Sequence, residues 1–289
     1  MSLLTLLLVV IAAIMHATWN LLAKTASAAG APFVAAYSAI SVIIYLPVAV
    51  WALFTYGLAM KPMTIACVVA SGIVHLAYSL VLQRGYQVAD LSVIYPVARG
   101  TGPLLAAIGA FLLLGEHATI GAILGLLTVV AGILLLASGG RLGVLADPAA
   151  RPGVAWGTAT GGFIATYTLV DGWGVKLLGI NPIVLDWCAN TVRLAFVLPG
   201  IVRNRVLIRQ RMHGHWWRAA GVGVLAPLGY ILVLTALRLG APLHIVAPAR
   251  EMSMMMGALL GMVFLGERVT GVRLAGCAMI LGGVALLAI

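Results

Sequence analysis

"LLLGEHATIGAILGLLTVVAGILLL", residues 112–136, returns at residues 263–287 as "VFLGERVTGVRLAGCAMILGGVALL". At a shift of 151, Leu114-Gly-Glu116 falls on Leu265-Gly-Glu267, Gly125 on Gly276 and Gly132 on Gly283. Upstream, a shift of 152 carries Tyr78 onto Tyr230, Pro96 onto Pro248, Lys24 onto Lys176 and Pro47 onto Pro199. "YPVARG" (95–100) thereby meets "APAREM" (247–252), with Arg99 matching Arg250 after one residue drops out. The chain is an internal duplication, and the number of helices in each copy decides its geometry.

Of 289 residues, 63% are hydrophobic and only 8% charged, with mean hydropathy +1.14. Soluble domains carry roughly 25% charged residues, so a water-soluble globular protein is excluded. No Asp, Glu, Lys or Arg occurs in 1–23, 25–60, 62–83, 117–140 or 152–170. Each run reaches or approaches the ~20 residues a membrane-spanning helix needs. A transmembrane barrel would alternate polar and apolar residues at period two, which these runs do not. Ten spans are predicted, near 3–22, 32–56, 62–85, 90–114, 117–138, 152–175, 181–202, 217–238, 242–265 and 269–288. Breaks fall at helix punctuation such as Gly30-Ala31-Pro32, Lys61-Pro62 and Asn181-Pro182. The first run lacks a basic leader region and reads as span one rather than a cleaved signal peptide.

Ten spans divide into two five-helix repeats, 1–140 and 152–289. Because five is odd, the second repeat enters the membrane from the opposite side. The expected fold class is therefore an all-α polytopic membrane protein of two inverted repeats, an architecture that secondary transporters use, with a solute site between the halves near the midplane.

The net charge of +10 follows this topology. Loops on one side hold Lys24, Arg84, Arg141, Arg151, Arg203, Arg205, Arg209, Arg211, Arg218, Arg268 and Arg273, against Lys61, Lys176 and Arg238 on the other. The excess places the first set in the cytoplasm and both termini outside, which in the expected bacterial inner membrane is the periplasm. "RNRVLIRQRMHGHWWR" (203–218) reads as topology signal and anionic-lipid contact, so the bilayer and a small solute are the partners expected, and nucleic acid is not. Cys67, Cys188 and Cys277 lie far apart in spans and form no CxxC pair, which predicts packing roles and no metal. No zincin, P-loop or Ser-His-Asp pattern is present, so neither an enzyme nor a cofactor is expected. Function as a monomer is expected, with a homodimer left open.

With ten spans, two five-helix halves and a "GE" phrase closing the fourth helix of each half, the chain resembles the drug/metabolite transporter superfamily. More narrowly it resembles the EamA-type branch that includes the YddG amino-acid exporters, over essentially its full length. The resemblance implies a basket-like fold whose cavity is lined by helices 1, 3, 4, 6, 8 and 9, with 5 and 10 peripheral.

Candidate cavity residues are His16 and Trp19 on helix 1, His75 and Tyr78 on helix 3, Tyr95 and Arg99 on helix 4, Trp156 on helix 6, Tyr230 on helix 8 and His244 on helix 9. Asn20, Leu82 and Tyr167 share those faces. Each also has a plainer reading, as an interface anchor or an interhelical hydrogen-bond partner. Pro96, Pro227 and Pro248 free backbone carbonyls in the membrane, which suits bends at gates. An ionised side chain at the bilayer centre costs roughly 2.5–3.5 kcal/mol on insertion scales, so it needs a partner or water. Arg193, Arg250 and Glu251 are read as a buried charge network, and Arg99 as a cation facing either solute or glutamate. Glu251 and Asp171 are the carboxylates able to carry a proton. The function expected is export of amino acids, aromatic and hydrophobic ones included, by alternating access. Rival readings are export of drugs, nucleosides or phosphorylated sugars, or a membrane-embedded lipid-handling enzyme or assembly subunit.

Overall fold

The computed structural model describes residues 2–59, 61–89, 91–140, 143, 147–203, 205–257 and 270–287. The second "LGE", Arg141 and Arg268 lie outside that set. Every regular element among the described residues is helical. The first half contains α1 (Leu3–Lys24), α2 (Ala31–Tyr56), α3 (Pro62–Val88), α4 (Leu91–Leu113) and α5 (Ile120–Ser138). The second contains α6 (Arg151–Lys176), α7 (Pro182–Arg203), α8 (Arg205–Arg211), α9 (Trp216–Arg238), α10 (Leu243–Ala249) and α11 (Gly271–Leu287). Seven of them, α1 to α5, α7 and α9, are long and apolar enough to cross a bilayer.

Local chemistry sets the helix ends. Ser2 accepts the Thr5 N–H to cap α1, and Thr119 accepts the Ala122 N–H at 3.0 Å to cap α5. Pro32 and Pro62 stand in the first turn of α2 and α3, where a missing N–H costs nothing. Two elements differ from the expected spans. The basic stretch after the seventh span forms its own short helix, α8. The ninth span is interrupted: α10 ends at Ala249, Arg250 and Glu251 form a turn, and residues 252–257 are helical again. Pro248 lies just before this break.

The inversion is visible where α5 meets α11. A Cβ on Gly125 would lie 2.7 Å from the Gly283 carbonyl oxygen, and one on Gly283 2.8 Å from that of Gly125. Gly132 and Gly276 oppose each other in the same reciprocal way, at 2.9 Å both ways. Since Gly125 is the repeat counterpart of Gly276, and Gly132 of Gly283, the contact is self-complementary about a two-fold axis. The ascending numbers of one helix meet the descending numbers of the other, so the two helices are antiparallel. Only glycine permits this approach, which replaces side-chain contacts by backbone ones.

Other pairings obey the same exchange. α1 packs on α9 as α6 packs on α3, and α2 packs on α9 as α7 packs on α3. α6 also lies along α4, with Gly153 against Val93, Gly157 against Val97 and Gly161 against Thr101. The outer surface is apolar: Phe54, Ile120 and Leu112 are 89%, 79% and 77% exposed, as expected for side chains meeting lipid. α6, which falls outside the apolar spanning set, turns the polar groups Thr160, Thr168 and Asp171 inward.

Candidate functional site

Helical spacing gathers polar side chains into stripes that converge on one central cavity. Ser71, His75 and Tyr78 rise along α3 at i, i+4, i+7, and Asp186, Asn190 and Arg193 repeat that spacing on α7. His16 and Trp19 come from α1, Tyr37 from α2, Tyr167 and Asp171 from α6, Pro227 and Tyr230 from α9, and Arg250 from the α10 break. Both halves contribute walls.

Two carboxylates, Asp171 and Asp186, face the cavity. Asp171, 1% exposed, takes a hydrogen bond from the Tyr230 hydroxyl at 2.6 Å, and its same oxygen, Oδ2, lies 3.0 Å from His75 Nε2. The His75 ring stacks on Tyr167 with centroids 4.1 Å apart, and Tyr230 meets it edge-on at 5.2 Å. Tyr78 and Tyr230, counterparts in the duplication, both contact Tyr167 edge-on, at 5.5 and 5.9 Å. Asp186 accepts a hydrogen bond from Asn190 Nδ2 at 2.9 Å.

The cations line the same cavity, and among the described residues neither makes a direct ion pair with Asp171 or Asp186. Arg193 donates to Asn190 Oδ1 and lies 5.2 Å over the Tyr37 ring, while Arg250 lies 5.8 Å from the Tyr167 ring. His16 and Trp19 pack edge-on at 4.8 Å. Buried polar atoms are normally paired. Here His16 Nε2, Ser71 Oγ, Asp171 Oδ1, Arg193 Nε and Arg250 Nε have no hydrogen-bond partner among the described residues, and all five belong to cavity residues. The arrangement therefore offers unused donors and acceptors inside an aromatic wall.

Other expected cavity residues lie elsewhere. Arg99 Nη1 is 3.2 Å from Glu251 Oε2 and donates to Glu251 Oε1 at 3.3 Å, with Ser253 Oγ 3.4 Å from its other terminus. Both partners are buried, at 5% and 0% exposure. Arg250 Nε approaches the same carboxylate at 3.9 Å, so one glutamate stands between duplication-related arginines. Arg193 is outside this network, on the α7 stripe. Tyr95 packs beside Arg99, 5.5 Å from its guanidinium, and Trp156 packs against Gly85 on α3. Pro96 lies within a continuous α4; Pro227 lies in α9 on the cavity wall.

His244 belongs to a second polar cluster, built by the "LGE" phrase. Gly115 adopts φ +67° and the Glu116 N–H closes back on the Ala110 carbonyl at 3.2 Å, a left-handed helix stop that favours glycine. That turn aims Glu116 at the start of α10. Its carboxylate accepts the Leu243 and His244 backbone N–H groups at 2.7 and 2.9 Å, meets His244 Nδ1 at 2.7 Å and pairs with Lys176 Nζ at 2.6 Å. Burial alone would raise its pKa, but the bonds from His244, Lys176 and the two amides outweigh this and hold it down at about 2. Glu116 thus ties the first half to two helices of the second.

Sequence reasoning passed over Tyr37, Ser71, Asp186 and Asn190 as cavity residues. The signal for α7 was present, since Asp186, Asn190 and Arg193 share one face of an otherwise apolar span.

Comparison with known proteins agrees with the fold. Residues 151–289 match the EamA-like transporter family. One solved crystal structure shares the fold with a TM-score of 0.71 at 18% identity, covering 98% of this chain and 95% of that one. No curated protein matches the chain.

Proposed function

From a second half that matches a transporter family, we propose that the protein is a secondary transporter exporting zwitterionic metabolites, amino acids with aromatic or apolar side chains foremost. Export runs across a bacterial inner membrane by alternating access of the halves 1–140 and 152–289, with both termini periplasmic. The narrower resemblance to amino-acid exporters is part of this reading.

One observation carries it: among aromatic rings the cavity holds two carboxylates (Asp171, Asp186) and two guanidiniums (Arg193, Arg250) with no direct ion pair between them among the described residues, and Asp171, Arg193 and Arg250 keep unpartnered polar atoms. An α-amino acid presents an ammonium and a carboxylate on one carbon, so it satisfies both ends at once. Its carboxylate suits the planar donors of arginine. Its ammonium suits Asp171 and the faces of Tyr167 and Tyr230. An apolar or aromatic side chain packs on Trp19, Tyr37 or Tyr78. Two acidic groups beside two basic ones weigh against a phosphorylated sugar, whose double negative charge would be buried next to carboxylates.

The test is release of labelled phenylalanine or leucine preloaded into liposomes containing the purified protein. Release above protein-free liposomes, slowed by Arg193→Gln, is expected. Absence of release for every amino acid, with binding of another solute class, overturns the substrate assignment.

A further inference from the structure

We propose that the Asp171–His75–Tyr230 cluster is a proton site that competes with the solute's ammonium, so that each solute exported is exchanged for one proton; this rests on reading the cavity as an amino-acid site. Among the buried carboxylates of the described residues, Asp171 is the one paired directly to a cavity histidine rather than to arginine or lysine. Glu251 has Arg99, Glu116 has Lys176, and Asp186 is linked through Asn190 to Arg193. Among the described residues, the ion-pair partner of Asp171 is His75, at 3.0 Å. Histidine carries its charge only while it holds a proton.

A carboxylate 1% exposed without a cation is costly to keep in a membrane interior. Two arrangements remove that cost. A proton can reside on the His75–Asp171 pair, or a solute ammonium can approach Asp171 Oδ1, the oxygen without a partner among the described residues. The two cations compensate the same negative charge and so exclude each other. The exchange balances: the protonated His75–Asp171 pair plus a solute ammonium gives neutral His75, ionised Asp171 bound to that ammonium, and one released proton. The Tyr230 hydroxyl donates to Asp171 Oδ2 in either state and holds the carboxylate in place.

The surroundings fit this role. Tyr167 and Tyr78 face the cluster from α6 and α3, and Cys67 of α3 donates to the Val170 carbonyl beside it. Asp186, Asn190 and Arg193 of α7 and His16 of α1 line the same cavity, and Arg250 of the α10 break lies 5.8 Å from the Tyr167 ring. Asp186 adds negative charge favouring either cation, while Arg193 and Arg250 oppose both and attract the solute carboxylate. The cluster also spans the repeats, since His75 belongs to α3 and its partners to α6 and α9. Moving the proton therefore alters a contact between halves that must shift during transport.

The experiment measures phenylalanine and leucine binding to the purified full-length protein over about pH 5–8, where histidine ordinarily titrates and neither solute does. One-proton competition predicts affinity falling about tenfold per pH unit below the midpoint, with one proton released per solute bound. Asp171→Asn is expected to weaken binding and flatten the profile, and His75→Gln to flatten it too. Should Asp171→Asn not fold, His75→Gln alone decides. Binding with a flat wild-type profile and no proton release overturns the proton site and leaves the amino-acid reading standing. If no amino acid binds, infrared difference spectra over the same pH range decide without solute. A carboxyl or imidazole titration that vanishes in Asp171→Asn or His75→Gln supports the site, and its absence in wild type overturns it.

Discussion

The Glu116 carboxylate accepts both the backbone N–H of His244, at 2.9 Å, and a contact from its ring Nδ1, at 2.7 Å. A residue in the α4–α5 turn thus caps a helix that begins 127 positions later. Its pKa falls from an ordinary 4.5 to about 2, a difference worth roughly 3 kcal/mol at ~1.4 kcal/mol per unit. A carboxyl held below its unfolded value contributes fully above pH 4.5, and that contribution is lost as pH falls towards 2. Thermal unfolding in detergent across this window is expected to show a falling midpoint in wild type. Glu116→Gln should unfold several degrees lower at neutral pH and show a shallower acid limb. Equal acid limbs in the two proteins would refute the linkage.

Gly282 and Gly283 are neighbours on α11 with opposite environments. A Cβ on Gly283 meets the Gly125 carbonyl at 2.8 Å, whereas one on Gly282 meets nothing within 4 Å. Gly283→Ala is expected to force α5 and α11 apart and cost about 1–3 kcal/mol. Gly282→Ala should be neutral or stabilising by about 0.5–1 kcal/mol, through helix propensity. Because the crossing is two-fold, Gly276→Ala should behave like Gly283→Ala. Unfolding midpoints of the three variants check this, and a harmless Gly283→Ala contradicts the tight crossing.

Arg99 and Glu251 form a fully buried pair, so removing one member strands the other charge. Glu251→Gln is expected to destabilise by about 3–5 kcal/mol, visible as poor recovery of folded protein. Replacing both by methionine should restore much of the loss, since an apolar pair of similar volume carries no desolvation penalty. The double-mutant cycle measures the coupling. A double replacement no better than Glu251→Gln alone would point to a role for Arg99 beyond this pairing.

The membrane class was legible because an uncharged run of some twenty residues has few other readings, and the inversion because five helices are an odd number. The glycine repeats marked the duplication without revealing that each packs against the other's counterpart where α5 crosses α11. His16, Trp19, His75, Tyr78 and Tyr230 showed as stripes on apolar helices and do line the cavity. Asp186 went unread although it shares one face of α7 with Asn190 and Arg193. Pairings were the illegible part. Sequence located Arg99, Arg193, Arg250 and Glu251 at similar depth, but which arginine meets the glutamate depends on the register of helices 152 residues apart. His244 was placed in the cavity for the same reason, since its partner Glu116 is fixed by a turn in the other repeat.

The two prolines of the opening repeat have unequal surroundings, and that inequality yields the last prediction. Pro248 precedes the break at Arg250–Glu251, while its counterpart Pro96 lies inside an unbroken α4. In an inverted repeat that works by alternating access, the opposite-facing state exchanges the shapes of the halves. α4 would then break near Arg99 as the ninth span straightens. Pro96 already lacks the N–H that would resist this opening. Pro96→Ala is therefore expected to leave folding and stability intact or slightly improved, yet to slow amino-acid efflux from liposomes several-fold by favouring the continuous α4. The check compares initial efflux rates at equal protein loading, with unfolding midpoints measured in parallel. Undiminished efflux from Pro96→Ala would sink the hinge.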